Sequence, residues 1–234
     1  MQNAVIPRPA ATVVLLRDGN SGLETLLLKR NEELKFAGGV WVFPGGGLED
    51  SDWIDADGNA EKAARAAAAR EAYEESGLNV DPDNLIQISH WTTPATAPKR
   101  FETWFFLTLA PEKPNVLIDG SEIHDHAWML VEDALTANRS GEIGLFPPTI
   151  ITLSLLRRYS TATKAMVGIS NRPPYKITPV IAKVGSEVNI LYPGDASYPS
   201  GDLTQKGAIH RSIMRDACWT YVHEADETVP RLDI

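Results

Sequence analysis

Residues 59–77, NAEKAARAAAAREAYEESG, leave less conformational choice than any other part of this chain. Ala63, Ala64, Ala66, Ala67, Ala68 and Ala69 are the strongest helix formers, and they predict a helix over residues 60–76. Asn59 can cap its start, and Gly77 stands where a left-handed residue ends helices. Glu71, Glu74 and Glu75 follow at spacings i, i+3 and i+4, which place them on one helix face. Like charges so arranged repel by roughly 0.2–0.5 kcal/mol per pair. The negative end of the helix dipole disfavours each by roughly 0.3–1 kcal/mol more. Such crowding calls for compensation, and a hard divalent cation held by carboxylate oxygens would supply it. The plainer alternative is a solvated acidic face on which Arg70 pairs with Glu74.

A second feature lies just upstream. A short strand at residues 40–43 runs into Pro44-Gly45-Gly46-Gly47, where the backbone must turn tightly or approach something closely. Bare glycine carbonyls there could face the same ion. Residues 11–16 and 23–28 read as strands joined in a hairpin through Asp18-Gly19-Asn20. Residues 51–59 are acidic and turn-rich and read as a loop. Further strands are expected at residues 85–91, 100–109 and 126–131, with a loop at 92–99. Helices are expected at 132–138 and, after Pro147-Pro148, at 149–159. A final hairpin is expected from residues 175–183 and 187–192 around Gly185-Ser186. This mixed order implies an α/β sandwich with one main domain.

Composition narrows the function classes. The net charge is −9, which argues against gripping nucleic acid through a basic face. It does not exclude a small anionic substrate, because a bound metal ion supplies local positive charge. Cys218 is the single cysteine, so neither an internal disulfide nor a zinc cluster is available. Met1 to Pro9 lacks the basic start and apolar core of a signal peptide, and no apolar run reaches membrane-spanning length. The expectation is a cytoplasmic protein with no membrane partner.

The segment from Gly45 to Leu78 resembles the Nudix box, G-x5-E-x7-R-E-U-x-E-E-x-G-U, where U is bulky or aliphatic. Arg70, Glu71, Glu74, Glu75, Gly77 and Leu78 meet its second half, with Ala72 at the first U, and Val42-Phe43-Pro44-Gly45-Gly46 matches the usual entry. Two departures stand out. If Gly46 is the box glycine, 23 residues separate it from Arg70 where the pattern has 13. The glutamate expected eight positions before Arg70 falls on Lys62, with Glu49, Asp50 and Glu61 as the nearby carboxylates. The resemblance implies an α/β/α sandwich with a mixed sheet over residues 8–160, and a C-terminal extension over 161–234. It implies Glu71, Glu74 and Glu75 as ligands of Mg2+ or Mn2+, with the Gly46 carbonyl as a further ligand. Arg70 resembles the arginine that holds a glutamate in place through a charge-assisted bond. The family's base varies and often sits on a later loop, which nominates Glu122 in Gly120-Ser121-Glu122; an ordinary surface glutamate is the alternative.

The wider resemblance covers about two thirds of the chain. Leu26-Leu27-Leu28-Lys29-Arg30, the run from Phe36 to Gly46, the long box insertion, residues 100–106 and Pro147-Pro148-Thr149 are similar to the branch containing peroxisomal coenzyme A diphosphatases. That implies a magnesium-dependent diphosphatase of coenzyme A or its acyl esters. ADP-ribose or a dinucleotide is the neighbouring substrate class. A non-catalytic nucleotide sensor and a messenger-cap hydrolase are the further alternatives, disfavoured by the intact glutamates and the acidic charge. Lys29, Arg30, Lys99 and Arg100 are the cations available for substrate phosphates, against ordinary solvent exposure. Trp91 and Trp104 could stack on an adenine, although strand aromatics are more often core. The extension is expected to cover the active site, support a homodimer or complete the core.

Overall fold

The computed structural model describes residues 5–34, 37–112, 114–118, 120–215 and 218–234. Met1 to Ala4 of the N-terminal segment and Phe36 of the motif above lie outside them.

The centre is a mixed eight-stranded sheet. Strand β1 (Arg8–Gly19) pairs antiparallel with β2 (Gly22–Arg30), and β2 in turn with β3 (Trp41–Val42). The register Gly19↔Gly22 puts the hairpin turn at Asn20-Ser21, one residue beyond the Asp18-Gly19-Asn20 expectation. On its other side β1 runs parallel to β6 (Phe101–Leu109), which pairs antiparallel with β5 (Ile86–Thr92). Strand β7 (Ile123–Leu130) pairs with β2. The glycine run is not only a turn: β4 (Gly45–Gly47) pairs antiparallel with β1, with Gly46 opposite Ala11. A Cβ on Gly45 would overlap the Ala11 carbonyl and Thr12, so glycine is required for this approach.

Alternation along β1 builds the layers. Ala11 and Val13 face α1 (Ala60–Ser76), meeting Ala64, Ala67, Ala68 and Ala72 with Phe106. Small alanines let the helix lie close to the sheet. Asn59 Oδ1 accepts from the backbone N–H groups of Glu61 and Lys62, and Gly77 closes the helix with φ 70°. Val14 and Leu16 face the opposite layer. There they join Ala134 and Leu135 of α2 (Val131–Arg139), Ile151 and Leu153 of α3 (Pro147–Leu156), and Ala162 and Ala165 of α4 (Ala162–Ser170). Helix α3 starts at the prolines and ends three residues before residue 159, and α4 was not anticipated. Before α1, residues 50–53 form a 3-10 turn rather than plain loop.

The C-terminal stretch departs most from expectation. Residues 175–183 are two strands rather than one. Strand β8 (Tyr175–Ile177) extends the main sheet parallel to β5, and β9 (Val180–Val184) begins a second sheet. Pro179 between them has no N–H to continue a ladder. The second sheet has the order β12-β11-β10-β9, adding β10 (Glu187–Leu191), β11 (Ile209–Arg215) and β12 (Cys218–Glu224), so the hairpin is not the last element. Tyr192, Ile177 and Leu232 share a hydrophobic cluster with Val14 and Leu16. No helix among the described residues is long and apolar enough to cross a membrane.

Candidate active site

A cavity of about 850 Å³ opens between the C-terminal end of α1, strand β4 and the second sheet. Gly45, Gly46 and Gly47 line it, as do Glu49, Glu71, Glu74 and Glu75. The helix spacing therefore delivers all three predicted glutamates to one space, opposite the glycine strand.

Arg70 organises two of them. Its Nη1 donates to Glu71 Oε1 at 2.8 Å and to Glu74 Oε2 at 3.0 Å. Its Nη2 donates to the Gly47 carbonyl at 2.9 Å and to Asp52 Oδ2 at 2.9 Å, and its Nε to Asp52 Oδ1 at 3.2 Å. The expected i, i+4 pair of Arg70 and Glu74 is thus present as one arm of a larger clamp. Asp52, which is buried, was not singled out from the sequence. Its other contact, accepting from Glu49 N–H at 2.8 Å, belongs to the 3-10 turn, and the pattern Glu49-x-x-Asp52 was the available signal. Burial works against the Arg70 charge, but the bonds to Asp52 and Glu71 outweigh it and raise its pKa.

Glu75 is the most enclosed of the three, and it accepts a hydrogen bond from Gly45 N–H at 2.9 Å. Burial pushes its carboxyl up to about 8, with repulsion from Glu71 and Glu122 adding to this, while the Gly45 N–H and Arg30 pull downward. Glu71 is also raised, mainly by burial, with Glu74 and Glu49 contributing and Arg70 opposing. A Cβ on Gly46 would overlap the Glu71 carboxylate, so the bare backbone of Gly46 and that carboxylate share one space.

The donor set is all oxygen and rich in carboxylates, which is the chemistry a hard divalent cation takes. Among the described residues, no three carboxylate or imidazole groups are closed into a ready-made cage. Mg2+ does not require one, since it usually keeps several waters and takes one or two carboxylates with substrate phosphates. Two carboxyl groups shifted upward by burial and by repulsion from neighbouring carboxylates, beside a glycine that leaves room, fit such an ion.

The remaining candidates divide. Arg30 and Glu122 line the cavity, with Arg30 Nη2 3.6 Å from Glu122 Oε2. Among the described residues, the buried Arg30 Nε meets no hydrogen-bond partner. Lys29 is held by Glu32 at 2.8 Å, and Arg100 donates to the carbonyls of Thr93 at 3.1 Å and Val5 at 2.7 Å. Neither they nor Lys99 line the cavity, which separates them from Arg30. Trp91 lines it while resting edge-on against Tyr175 and Tyr192; Trp104 instead packs on His90 with ring centroids 4.3 Å apart. Of the substitutes for the missing box glutamate, Glu49 lines the cavity, whereas Glu61 pairs with Arg65 at 2.9 Å. Lys62 lies 3.7 Å from Asp57 on the exposed side. The second-sheet residues Ile181, Ile190 and Trp219 complete the wall; covering the site was one of the three roles expected of the extension, but these side chains were not foreseen.

Known proteins resemble this chain in sequence and fold. The NUDIX domain profile matches residues 6–147. An acyl-coenzyme A diphosphatase of Xenopus laevis is 25% identical over 284 residues, covering 80% of this chain and 75% of that protein. A Caenorhabditis elegans protein provisionally named nudix hydrolase 7 is 27% identical over 184 residues, covering 64% of this chain and 60% of that protein. The chain thus spans only part of the length of these relatives. The crystal structure of a NUDIX hydrolase from Alicyclobacillus acidocaldarius superposes with a TM-score of 0.64 at 28% identity, covering 72% of this chain and 99% of that one. With its box carboxylates gathered opposite the glycine strand and a domain match over most of its length, the chain belongs to the Nudix hydrolase family.

Proposed function

We propose that this chain is a Mg2+- or Mn2+-dependent hydrolase that cuts the pyrophosphate bond of a nucleoside diphosphate derivative, with coenzyme A or an acyl-coenzyme A as substrate. The observation that carries the reaction class is the convergence of Glu71, Glu74 and Glu75 with the Gly46 backbone on one cavity. When bound, the ion neutralises the pyrophosphate and lowers the pKa of an attacking water. Glu71, Glu74 and Glu75, with the Gly46 carbonyl, are the groups placed to hold it. Arg70 fixes the orientation of Glu71 and Glu74, and the Gly45 N–H fixes Glu75. Near Glu75, Glu122 is the candidate to take the proton from water, and Arg30 to contact a phosphate.

Coenzyme A is favoured by the relative named as an acyl-coenzyme A diphosphatase and by the size and largely apolar lining of the cavity. One observation favours ADP-ribose or a dinucleotide instead. Arg30 is the one cation lining the cavity among the described residues, so a further phosphate, such as the 3′-phosphate of coenzyme A, has no second basic partner there. The test is the ratio of specificity constants for coenzyme A, dephospho-coenzyme A and ADP-ribose, with products identified by mass. Release of 3′,5′-ADP and 4′-phosphopantetheine at the highest kcat/KM supports the first reading. Fastest cleavage of ADP-ribose overturns it in favour of the second. No cleavage of any of them, with either metal, overturns the hydrolase assignment.

A further inference from the structure

The cavity is larger than a pyrophosphate and its ion require, and its two sides differ in kind. One side carries Glu71, Glu74 and Glu75. The other is built where the second sheet meets the start of α3. There Ile181 of β9 and Ile190 of β10 are direct cross-strand partners, so their side chains stand together on one face. Trp219 of β12 belongs to the same face: it pairs with Met214, Met214 pairs with Val188, and Val188 is two residues from Ile190. Phe146 and Pro147 close this side from the helix. All of these side chains are apolar, and Ile181, Ile190 and Trp219 are only half-buried. Half-covered apolar side chains facing a cavity favour an apolar group that removes their remaining surface from water.

We propose that this face is a specificity site for an aliphatic chain carried on the far side of the scissile pyrophosphate, and that the second sheet, rather than the carboxylate helix, sets the preferred chain. The proposal rests on the pyrophosphate hydrolase reading above. A nucleobase is the less fitting occupant, because its polar edge needs hydrogen-bond partners and these apolar side chains offer almost none. An aliphatic chain needs only contact area.

The probes are P2-alkyl esters of ADP carrying methyl, butyl and octyl groups, which differ only in the chain. With the metal ion present, kcat/KM should rise from methyl to octyl by at least about tenfold, since each buried methylene favours the longer chain. Replacing Ile190 by Thr, or Ile181 by Thr, should reduce the octyl-to-methyl ratio by roughly threefold or more, with circular dichroism used to verify the fold. Ile181→Trp, which fills the space, should move the optimum to shorter esters. A flat series in the wild-type protein overturns the proposal without recourse to any variant. So does a rate that follows the base, tested with inosine in place of adenosine, while ignoring the chain. If no ester is cut and the panel of coenzyme A, dephospho-coenzyme A and ADP-ribose is also untouched, the hydrolase reading itself has failed. If that panel is cut and the series is flat, only the specificity site has failed.

Discussion

Asp52 accepts two hydrogen bonds from the guanidinium of Arg70, from Nε at 3.2 Å and from Nη2 at 2.9 Å. The Asp52 side chain is 4% exposed, so this pair is a buried anchor rather than a surface contact. It ties the extra loop of the box to the arginine that orients Glu71 and Glu74. Asp52→Asn removes the most buried of the three carboxylates paired with Arg70, leaving Glu71 and Glu74 as its counterions. It should destabilise the protein by about 2 kcal/mol in urea unfolding. Loss of orientation of the glutamates should lower kcat/KM on the order of tenfold. Unchanged values of both would show that the clamp is dispensable.

Neighbouring glycines should separate fold from chemistry. Gly45→Ala drives a Cβ into the backbone of Ala11 and Thr12, so its main effect should be a lowered Tm. For Gly46→Ala the nearest atoms all belong to the Glu71 carboxylate, a side-chain end rather than backbone. The fold should survive, and activity should fall on the order of a hundredfold through displaced geometry. Paired melting curves and initial rates decide this; the reverse pattern would remove Gly46 and Glu71 from the site.

Metal dependence can be read from Glu75→Gln and Glu74→Gln. Each should lower pyrophosphatase activity by on the order of a hundredfold, and excess chelator should abolish it in the wild type. For Glu75 a second readout exists. Its amide isostere removes a charge that burial disfavours, so the metal-free variant should melt no lower than the wild type. Added Mg2+ should stabilise the folded wild-type protein, and the variant should lose that effect. Wild-type rates in both variants would end the assignment.

Lys62 occupies the box position that usually carries a glutamate, and it points toward Asp57 outside the cavity. Lys62→Ala should keep activity within about twofold, as an exposed pair of this kind contributes little. A hundredfold loss would mean that the alignment of the box is wrong.

The C-terminal sheet has its own pH signature. Asp195 is buried, which works against its charge. Arg211 at 2.6 and 2.7 Å and the N–H groups of His210 and Ser197 overcome this and hold its carboxyl below the usual value. A depressed carboxylate contributes stability above its unfolded pKa near 3.9, and that contribution is lost as pH falls through the lower folded value. Tm should therefore drop steeply below about pH 4. Asp195→Asn should flatten that slope and cost about 3 kcal/mol at neutral pH. A wild-type slope in the variant would assign acid sensitivity elsewhere.

Helix α1 was legible from residues alone because alanine content, Asn59 and Gly77 agree on its limits, and the box spacing then placed three glutamates on one face. Strand β4 was read as a turn because glycine has little intrinsic preference for strands; its pairing comes from a close approach to Ala11 that sequence does not display. Strand β11 carries no polar–apolar alternation: in Ile209-His210-Arg211-Ser212-Ile213 three polar residues run together, and His210 and Ser212 are the buried ones. Thr161 was available to cap α4, but a lone cap before a short helix discriminates poorly. Cations could not be sorted either. Arg30 and Arg100 look alike in sequence, and only tertiary packing sends one to the cavity and the other to backbone carbonyls.

The wall of the cavity is assembled from Ala10 on the first strand through to Trp219 on the last. Contacts so distant along the chain form late, because loop closure must precede them. During synthesis from the N-terminus, the carboxylate helix and the glycine strand emerge early, yet they face an open surface until the final strand arrives. The proposed apolar face is therefore the part of the cavity completed last, when β12 docks.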